Sequence, residues 1–182
     1  MKRTLSLYIA MSLDGYIARP NDDLSFLKSV EKEGEDYGYA AFTANVDTII
    51  LGRKTYDYVL REIGSSHYDN GQRDVYVMTR SPRPDTGRVK FYTDDLPSLV
   101  RKLKAAGGKN IYCDGGAEIV NALLKEDLID EFIISVIPIL LGEGIRLFND
   151  DRPEQDLTLV KARSFETGLV QLHYRRAGIQ GV

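Results

Sequence analysis

The 182-residue chain contains no tryptophan, one cysteine and two histidines. With Cys113 alone, an intramolecular disulfide and a thiolate zinc cage are both excluded, and His67 and His173 leave little for imidazole ligation, so no metal site is expected. A lone thiol fits a reducing cytosol, and a cytoplasmic location is expected. An excess of charge is also lacking: 24 Lys and Arg stand against 27 Asp and Glu, a net charge of −3, without a block of like sign. Neither nucleic acid nor an anionic membrane is therefore expected as a partner, and a small molecule is. No run approaches the roughly 18 apolar residues needed to span a membrane. Lys2-Arg3 followed by residues 5–11 has the outline of a secretion signal, but serines interrupt it and Asp14-Gly15 follows at once, so it reads as a buried strand. Repeats, low-complexity tracts and Pro/Gly/Ser-rich linkers are absent as well. With 43% hydrophobic residues, the expectation is one domain over residues 1–182.

What is present is an alternation of short apolar runs with helical patterns. Strands are expected at residues 4–11, 46–51, 74–79, 89–92 and 110–113, each rich in Val, Ile or Tyr. Helices are expected at 22–43, 53–61, 96–106 and 117–124, the third opened by Asp95-Leu96-Pro97 and closed by Gly107-Gly108. Gly34 and Gly38 weaken the first helix near its middle. After Leu128 the pattern changes to three strands, 131–138, 157–165 and 169–176, with Glu166-Thr167-Gly168 as a tight turn between the last two. The fold class is α/β, with a mixed, mostly parallel sheet and an antiparallel C-terminal hairpin at one edge.

Three strand ends carry phosphate-binding chemistry. Cys113-Asp114-Gly115-Gly116-Ala117-Glu118 runs from a strand through two glycines into a helix, where close main-chain approach and free N–H groups favour an anion; alternatively the glycines only make the turn. Leu51-Gly52-Arg53-Lys54-Thr55 repeats the arrangement with two cations, which oppose the helix dipole unless an anion is bound; alternatively they are solvated first-turn residues. Met78-Thr79-Arg80-Ser81 ends a third strand in hydroxyls and an arginine suited to a phosphate or to capping a loop. The G-x-G-x-x-G fingerprint, the G-x-x-x-x-G-K-[ST] loop and the G-x-S-x-G elbow are all missing, which disfavours a Rossmann dehydrogenase, a nucleoside triphosphatase and a serine hydrolase.

The order Tyr8-Ile9-Ala10-Met11-Ser12-Leu13-Asp14-Gly15-Tyr16-Ile17-Ala18, Asp23-Leu24-Ser25-Phe26-Leu27-Lys28, Leu51-Gly52-Arg53-Lys54-Thr55-Tyr56, Asp114-Gly115-Gly116 and Ile137-Pro138-Ile139-Leu140-Leu141-Gly142-Glu143-Gly144 resembles the dihydrofolate reductase superfamily over nearly the whole chain. Ser12-Leu13-Asp14-Gly15 and the Pro-x-Leu-Leu-Gly-x-Gly segment look more like the branch containing the reductase domain of bifunctional riboflavin-biosynthesis proteins, here without a zinc deaminase domain. The resemblance implies a three-layer dihydrofolate-reductase-like fold and an NADPH site. Backbone groups of Ala10 and Ile17 would meet the nicotinamide carboxamide. Gly52, Lys54 and Thr55 would meet the diphosphate, with Gly115, Gly116, Ala117 and Glu118 closing from the other side. Arg53, with Thr79, Arg80 and Ser81, would face the adenosine 2′-phosphate.

Asp23 aligns with the carboxylate that assists substrate protonation in folate reductases; desolvation in an apolar cleft would let it hold a proton near neutrality. The other reading makes Asp22 and Asp23 a cap and first-turn acid. Phe26, Leu27, Tyr56 and Pro138 are candidate walls of the substrate pocket, and Arg73 occupies the place of a substrate-carboxylate ligand, or faces a ribose phosphate or solvent. Phe26 stands where folate reductases often carry tryptophan, and the Gly-x-Ser-x-Trp-Ile-Thr stretch of the riboflavin branch is missing. The expected activity is NADPH-dependent reduction of a small heterocycle, as in 5-amino-6-(5-phosphoribosylamino)uracil reductase. The alternatives are a dihydrofolate or pterin reductase and a non-catalytic nucleotide-binding module. A homodimer is expected, because related reductases often dimerise and residues 136–141 offer surplus apolar surface.

Overall fold

A computed structural model describes residues 3–178. Its centre is an eight-stranded sheet formed by β1 (Leu5–Ser12), β3 (Val46–Gly52), β4 (Asp74–Met78), β5 (Val89–Tyr92), β6 (Asn110–Gly115), β7 (Glu131–Ile137), β9 (Leu157–Ser164) and β10 (Val170–Arg176). The strand order is β5-β4-β3-β6-β1-β7-β10-β9, with β2 (Tyr16–Ala18) and β8 (Ile145–Arg146) pairing apart in a two-stranded sheet that the sequence pattern did not announce. Strands β1 and β3 to β7 pair in parallel, and β10 and β9 add the expected antiparallel hairpin at the edge. The turn closes where the Gly168 N–H donates to the Phe165 carbonyl at 2.9 Å, with Gly168 at φ 83°.

The period-two alternation of each strand divides the core into two layers. Leu5, Leu7, Ile50, Ile111 and Cys113 point to one face, where Leu96 and Val100 of α3 (Leu96–Ala105) and Val120, Leu123 and Leu124 of α4 (Ala117–Lys125) cover them. Asp95 caps α3 by accepting from the Ser98 N–H at 2.8 Å, as its position before Leu96-Pro97 predicts. Ile49, Leu51 and Tyr112 point the other way, against Tyr56 and Val59 of α2 (Arg53–Glu62). Farther along that face, Phe26 and Val30 pack on Ile137 and Leu169. The result is the three-layer sandwich that the α/β pattern implies. Among the described residues no helix is long and apolar enough to cross a membrane.

The expected helix over 22–43 is not formed. The segment holds two short 3-10 helices, Pro20–Asp22 and Ser25–Val30, then irregular chain, then α1 (Tyr39–Thr43). Asn21 and Asp22 (φ 66° and 59°), Gly34 (76°), Tyr37 (56°) and Gly38 (88°) are left-handed, which a continuous right-handed helix cannot contain. Residues 31–36, Glu-Lys-Glu-Gly-Glu-Asp, also offer no apolar side chain to bury, so nothing ties a helix there to the core.

Residues 136–141 are largely consumed in packing: Ile137 is buried, and Ile139 and Leu141 pack beside it. The exposed apolar side chains lie instead on the edge hairpin, at Leu157, Leu159, Val160 and Val170, and singly at Leu13, Ile63 and Leu140.

Candidate active site

The ladder between β1 and β6 ends at Leu7 and Cys113, whereas that between β1 and β7 continues to Ser12 and Ile137. The sheet therefore splits beyond Leu7, at the carboxyl ends of β1 and β6, the part of an open α/β sheet where ligands sit. Gly115 and Ala10 border the split, and a Cβ on Gly115, whose φ is 95°, would stand 3.3 Å from Ile9 Cδ1.

Two of the glycine junctions meet beside this split. A Cβ on Gly52 would lie 3.4 Å from Ile119 Cγ1 of α4, 3.8 Å from the Gly115 carbonyl oxygen and 3.9 Å from the Gly116 nitrogen. One on Gly116 would lie 3.5 Å from Thr55 Oγ1. The starts of α2 and α4 thus lie side by side at ordinary van der Waals separation, and the Gly115–Gly116 peptide is cis. Gly52 pairs with Met78, so Thr79, Arg80 and Ser81 follow immediately alongside. Thr79 Oγ1 accepts from the Ser81 N–H at 3.2 Å, and Arg80 reaches Glu118 of α4 at 3.8 Å with both side chains almost fully exposed. Arg53 is held by Asp57 one turn on, at 2.7 Å, and Arg83 shares that carboxylate at 3.2 Å. Lys54 is exposed. Such exposed pairs are weak and yield readily to a stronger anion.

Asp114 is the bulged residue of β6: Cys113 pairs with Ile50 and Gly115 with Leu51, leaving Asp114 between them. Its carboxylate accepts from the Tyr112 and Tyr68 hydroxyls. Burial pushes the Asp114 carboxyl up, and the two hydroxyls pull it part-way back. The Cys113 thiol beside it is buried in the helix-covered face and pushed up to about 12, which leaves it inert at neutral pH.

On the far side of the split lies a cavity of about 550 Å³. Tyr8 and Ala10 of β1 and Ser135 and Ile137 of β7 form its floor; Leu27, Val30, Tyr37 and Tyr39 form its walls. The polar floor is organised by Gln171, whose amide donates to Tyr8 Oη at 3.2 Å, Ser135 Oγ at 3.2 Å and the Tyr37 carbonyl at 3.1 Å. Tyr39 sits edge-on to Tyr8 and Tyr112, and burial pushes its phenol up to about 12.

Two motifs far apart in sequence close this end of the sheet. Asp14 accepts from Ser12 Oγ at 2.6 Å and from the Leu141 and Gly142 N–H groups at 3.0 and 2.7 Å. These contacts, the Ser12 hydroxyl first, hold its carboxyl at about 2. Gly144 has no room for a side chain: a Cβ would stand 2.1 Å from the Ala18 carbonyl oxygen.

The other expected site residues fall in different places. Leu27 lines the cavity, and Phe26 lies in the core beside it. Ile17 packs against the helix-covered core from β2. Tyr56 stacks on Tyr68 and meets Phe91 beneath α2, away from the cavity lining. Pro138 is exposed against Gly168, outside that lining. Arg73 lies at the amino end of β4 and spends its guanidinium on the Thr43 and Val46 carbonyls, at 3.0 and 3.3 Å.

Asp23 is not desolvated. It is exposed, accepts from the Ser25 N–H at 2.8 Å and the Ser25 hydroxyl at 3.0 Å, and these bonds lower its carboxyl below the ordinary range. An ionised, solvated carboxylate in a local turn does not store a proton at neutral pH, and the long helix it was expected to cap is missing. The cavity tyrosines and Asp114 were not singled out from sequence. For Tyr8 a signal existed, since alternation along β1 places it on the face of Ala10; Tyr37 and Tyr39 were hidden inside the segment read as helix.

Residues 3–171 match the model of the RibD C-terminal domain. The chain belongs to that family. Its structure accordingly has the dihydrofolate-reductase-like fold of these domains. Among relatives, the uncharacterized protein YwjB of Bacillus subtilis (strain 168) is 43% identical over 178 residues, covering 97% of this chain and all of YwjB. A putative riboflavin biosynthesis protein from Shewanella sp. PV-4 superposes with a TM-score of 0.84 at 32% identity, over 95% of this chain and 98% of that one. The Thermotoga maritima diaminohydroxyphosphoribosylaminopyrimidine deaminase/5-amino-6-(5-phosphoribosylamino)uracil reductase superposes with a TM-score of 0.70 at 16% identity, over 97% of this chain and 57% of that one, a likeness of fold. The domain resembles riboflavin-pathway reductases, and oxidoreductase chemistry is what such a domain suggests.

Proposed function

We propose that this protein is an NADPH-dependent reductase acting on a C=N or C=O bond of a small nitrogen heterocycle. The observation that carries the reading is the meeting of the Gly52–Thr55 and Gly115–Gly116 junctions beside the split sheet, with the cavity opening across that split. The site fits the cofactor on its own terms, because the starts of α2 and α4, neither of them capped by a side chain, bring backbone N–H groups together beside the split. Gly52, Lys54, Thr55, Gly115, Gly116, Ala117 and Glu118 would hold the diphosphate. Arg53, Thr79, Arg80 and Ser81 would hold the 2′-phosphate, Arg53 and Arg80 exchanging Asp57 and Glu118 for it. Ala10 and Ile17 would orient the nicotinamide by their backbone groups. NADPH supplies the hydride; the protein's own contribution is orientation and exclusion of water, and no nucleophile is required.

Calorimetric titration tests this directly. NADPH is expected to bind roughly tenfold or more tightly than NADH, the difference between a charge-assisted contact and none. No binding at millimolar NADPH would sink the reading, and equal affinity for NADH would remove the role of Arg53 and Arg80. A second reading, a binding module without turnover, is favoured by the solvated, ionised state of Asp23. Screening NADPH oxidation against dihydrofolate, dihydropterins and the pyrimidine riboflavin precursor separates the two, since a module binds cofactor and turns over nothing.

A further inference from the structure

The charges around the 550 Å³ cavity point to a substrate class that differs from the phosphoribosyl pyrimidine named for the Thermotoga maritima enzyme. We infer that the cavity admits a neutral or cationic planar ring and rejects substrates bearing a phosphate or carboxylate. The inference rests on the reading of this cavity as the substrate side of the site.

A phosphate dianion needs an arginine or lysine fork, or the free N–H groups of a helix start. The lining holds no such fork and no free helix start. Among the described residues Lys32 is the only lysine or arginine in the lining; it is half exposed, is paired with Glu166 from the hairpin turn, and is outnumbered by four carboxylates in the same lining. The helix start at the rim, that of α1, is filled from within: Asp36 accepts from the Gly38 N–H at 2.8 Å and the Ala40 N–H at 2.9 Å. Outside the lining, Arg163 lies near Gly38 over the Phe165 ring, and Arg73 is spent on backbone carbonyls.

What the rim does offer is negative charge. Glu31, Glu33, Glu35 and Asp36 all line the mouth. Glu35 is anchored by the Tyr37 N–H at 2.8 Å, whereas among the described residues no ion pair or hydrogen bond engages the carboxylates of Glu31 and Glu33. Four carboxylates around a cavity walled by Tyr8, Tyr37 and Tyr39 repel an anion during entry and attract a cation, which the tyrosine faces then accept. A neutral ring loses nothing to the rim and stacks on the same faces. Ser135, whose oxygen accepts from Gln171, still has its own proton to donate to a ring heteroatom.

The test uses the full chain and three rings of one shape: 4-aminoquinolinium, quinoline-4-carboxamide and quinoline-4-carboxylate, with uridine and uridine 5′-monophosphate as a phosphate pair. Each is titrated calorimetrically, with and without saturating NADP⁺. The cation and the amide should bind at least about tenfold more tightly than the carboxylate, uridine should bind more tightly than its phosphate, and the gaps should shrink with added salt. The double substitution Glu31→Gln and Glu33→Gln, at exposed positions, should narrow the gap between cation and carboxylate; Glu31→Gln alone serves if the double variant melts early. Carboxylate or phosphate binding as tight as its counterpart would overturn the inference, as would an unchanged gap in the folded variants or failure of all five probes to bind. NADPH titration of the same samples keeps the two claims apart. Loss of cofactor binding with the charge order intact removes only the reductase reading; cofactor binding with the order lost removes only this one.

Discussion

Where β3 and β6 hand over to α2 and α4, the backbone itself is the proposed binding element, whereas across the split the cavity walls are side chains on a segment with little regular structure. The first region is built from two glycine-bearing helix starts, flanked by arginines and a lysine. The second is tyrosine-walled and carboxylate-rimmed. Its shape is set by left-handed residues and by contacts to the distant hairpin, such as Lys32 to Glu166 and the Tyr37 hydroxyl near Thr167 Oγ1 at 3.0 Å. A cofactor that keeps the same diphosphate in every reaction suits the rigid half. A ring recognised by its faces and substituents suits the half built from side chains.

The comparison breaks most sharply at Gly115. Replacing it with valine puts a β-branched residue at φ 95° with its Cβ 3.3 Å from Ile9 Cδ1, inside the rigid half. NADPH affinity should fall roughly 100-fold, about 2.7 kcal/mol, while the tyrosine-walled cavity keeps its ring probes. Parallel calorimetry with cofactor and with quinoline-4-carboxamide measures both, and equal losses for the two ligands would show that the halves are not separable.

Glu131 supplies a reference outside both halves, at the amino ends of β1 and β7. His173 Nε2 lies 3.8 Å from its carboxylate, Arg175 donates at 3.0 Å and Ser6 Oγ at 3.2 Å, and together they hold the carboxyl at about 2, below its ordinary 4.5. A depressed folded-state value gives stability that is fully present above pH 4.5 and lost as pH falls through about 2. Glu131→Gln should therefore cost about one to three kcal/mol at neutral pH, and the cost should close as the pH falls over that window. Urea denaturation across the range checks it, with NADPH affinity at neutral pH expected to stay unchanged. A constant cost from neutrality down to pH 2 would contradict the assigned cause.

The smallest effect is expected at Asp23. Asparagine there keeps the acceptor for the Ser25 N–H and removes only a solvated charge. Thermal stability should drop slightly and NADPH turnover on any accepted substrate should stay the same. A large loss of turnover with a shifted pH profile would restore the proton-donor role.

Much of this molecule was legible from its residues. The eight strands of the main sheet were found within a residue or two because runs rich in Val, Ile or Tyr mark strands, while the two short strands β2 and β8 were missed; the junctions stood out because each places glycines, cations or hydroxyls directly after a strand. The segment 22–43 was misread because its helical spacing of Phe26, Leu27 and Val30 was outweighed by Gly34, Gly38 and a charged run without a buried stripe. Tyr56 and Arg73 illustrate a different failure. Residue type fitted the role, but one stacks on Tyr68 and the other caps carbonyls, and only packing decides where a side chain on a known element points.

Local chemistry determined the class of this protein: the alternation of strands and helices, the absence of metal-binding and nucleophile motifs, and the glycine-bearing helix starts all act within a few residues of one another. Tertiary structure decided the rest. The split between β1 and β6, the approach of Gly52 to Gly115, the bulge at Asp114 and the acidic, tyrosine-walled cavity each join residues tens of positions apart. Such contacts are set by chain packing as a whole, in which the burial of distant apolar faces outweighs the preference of any one segment.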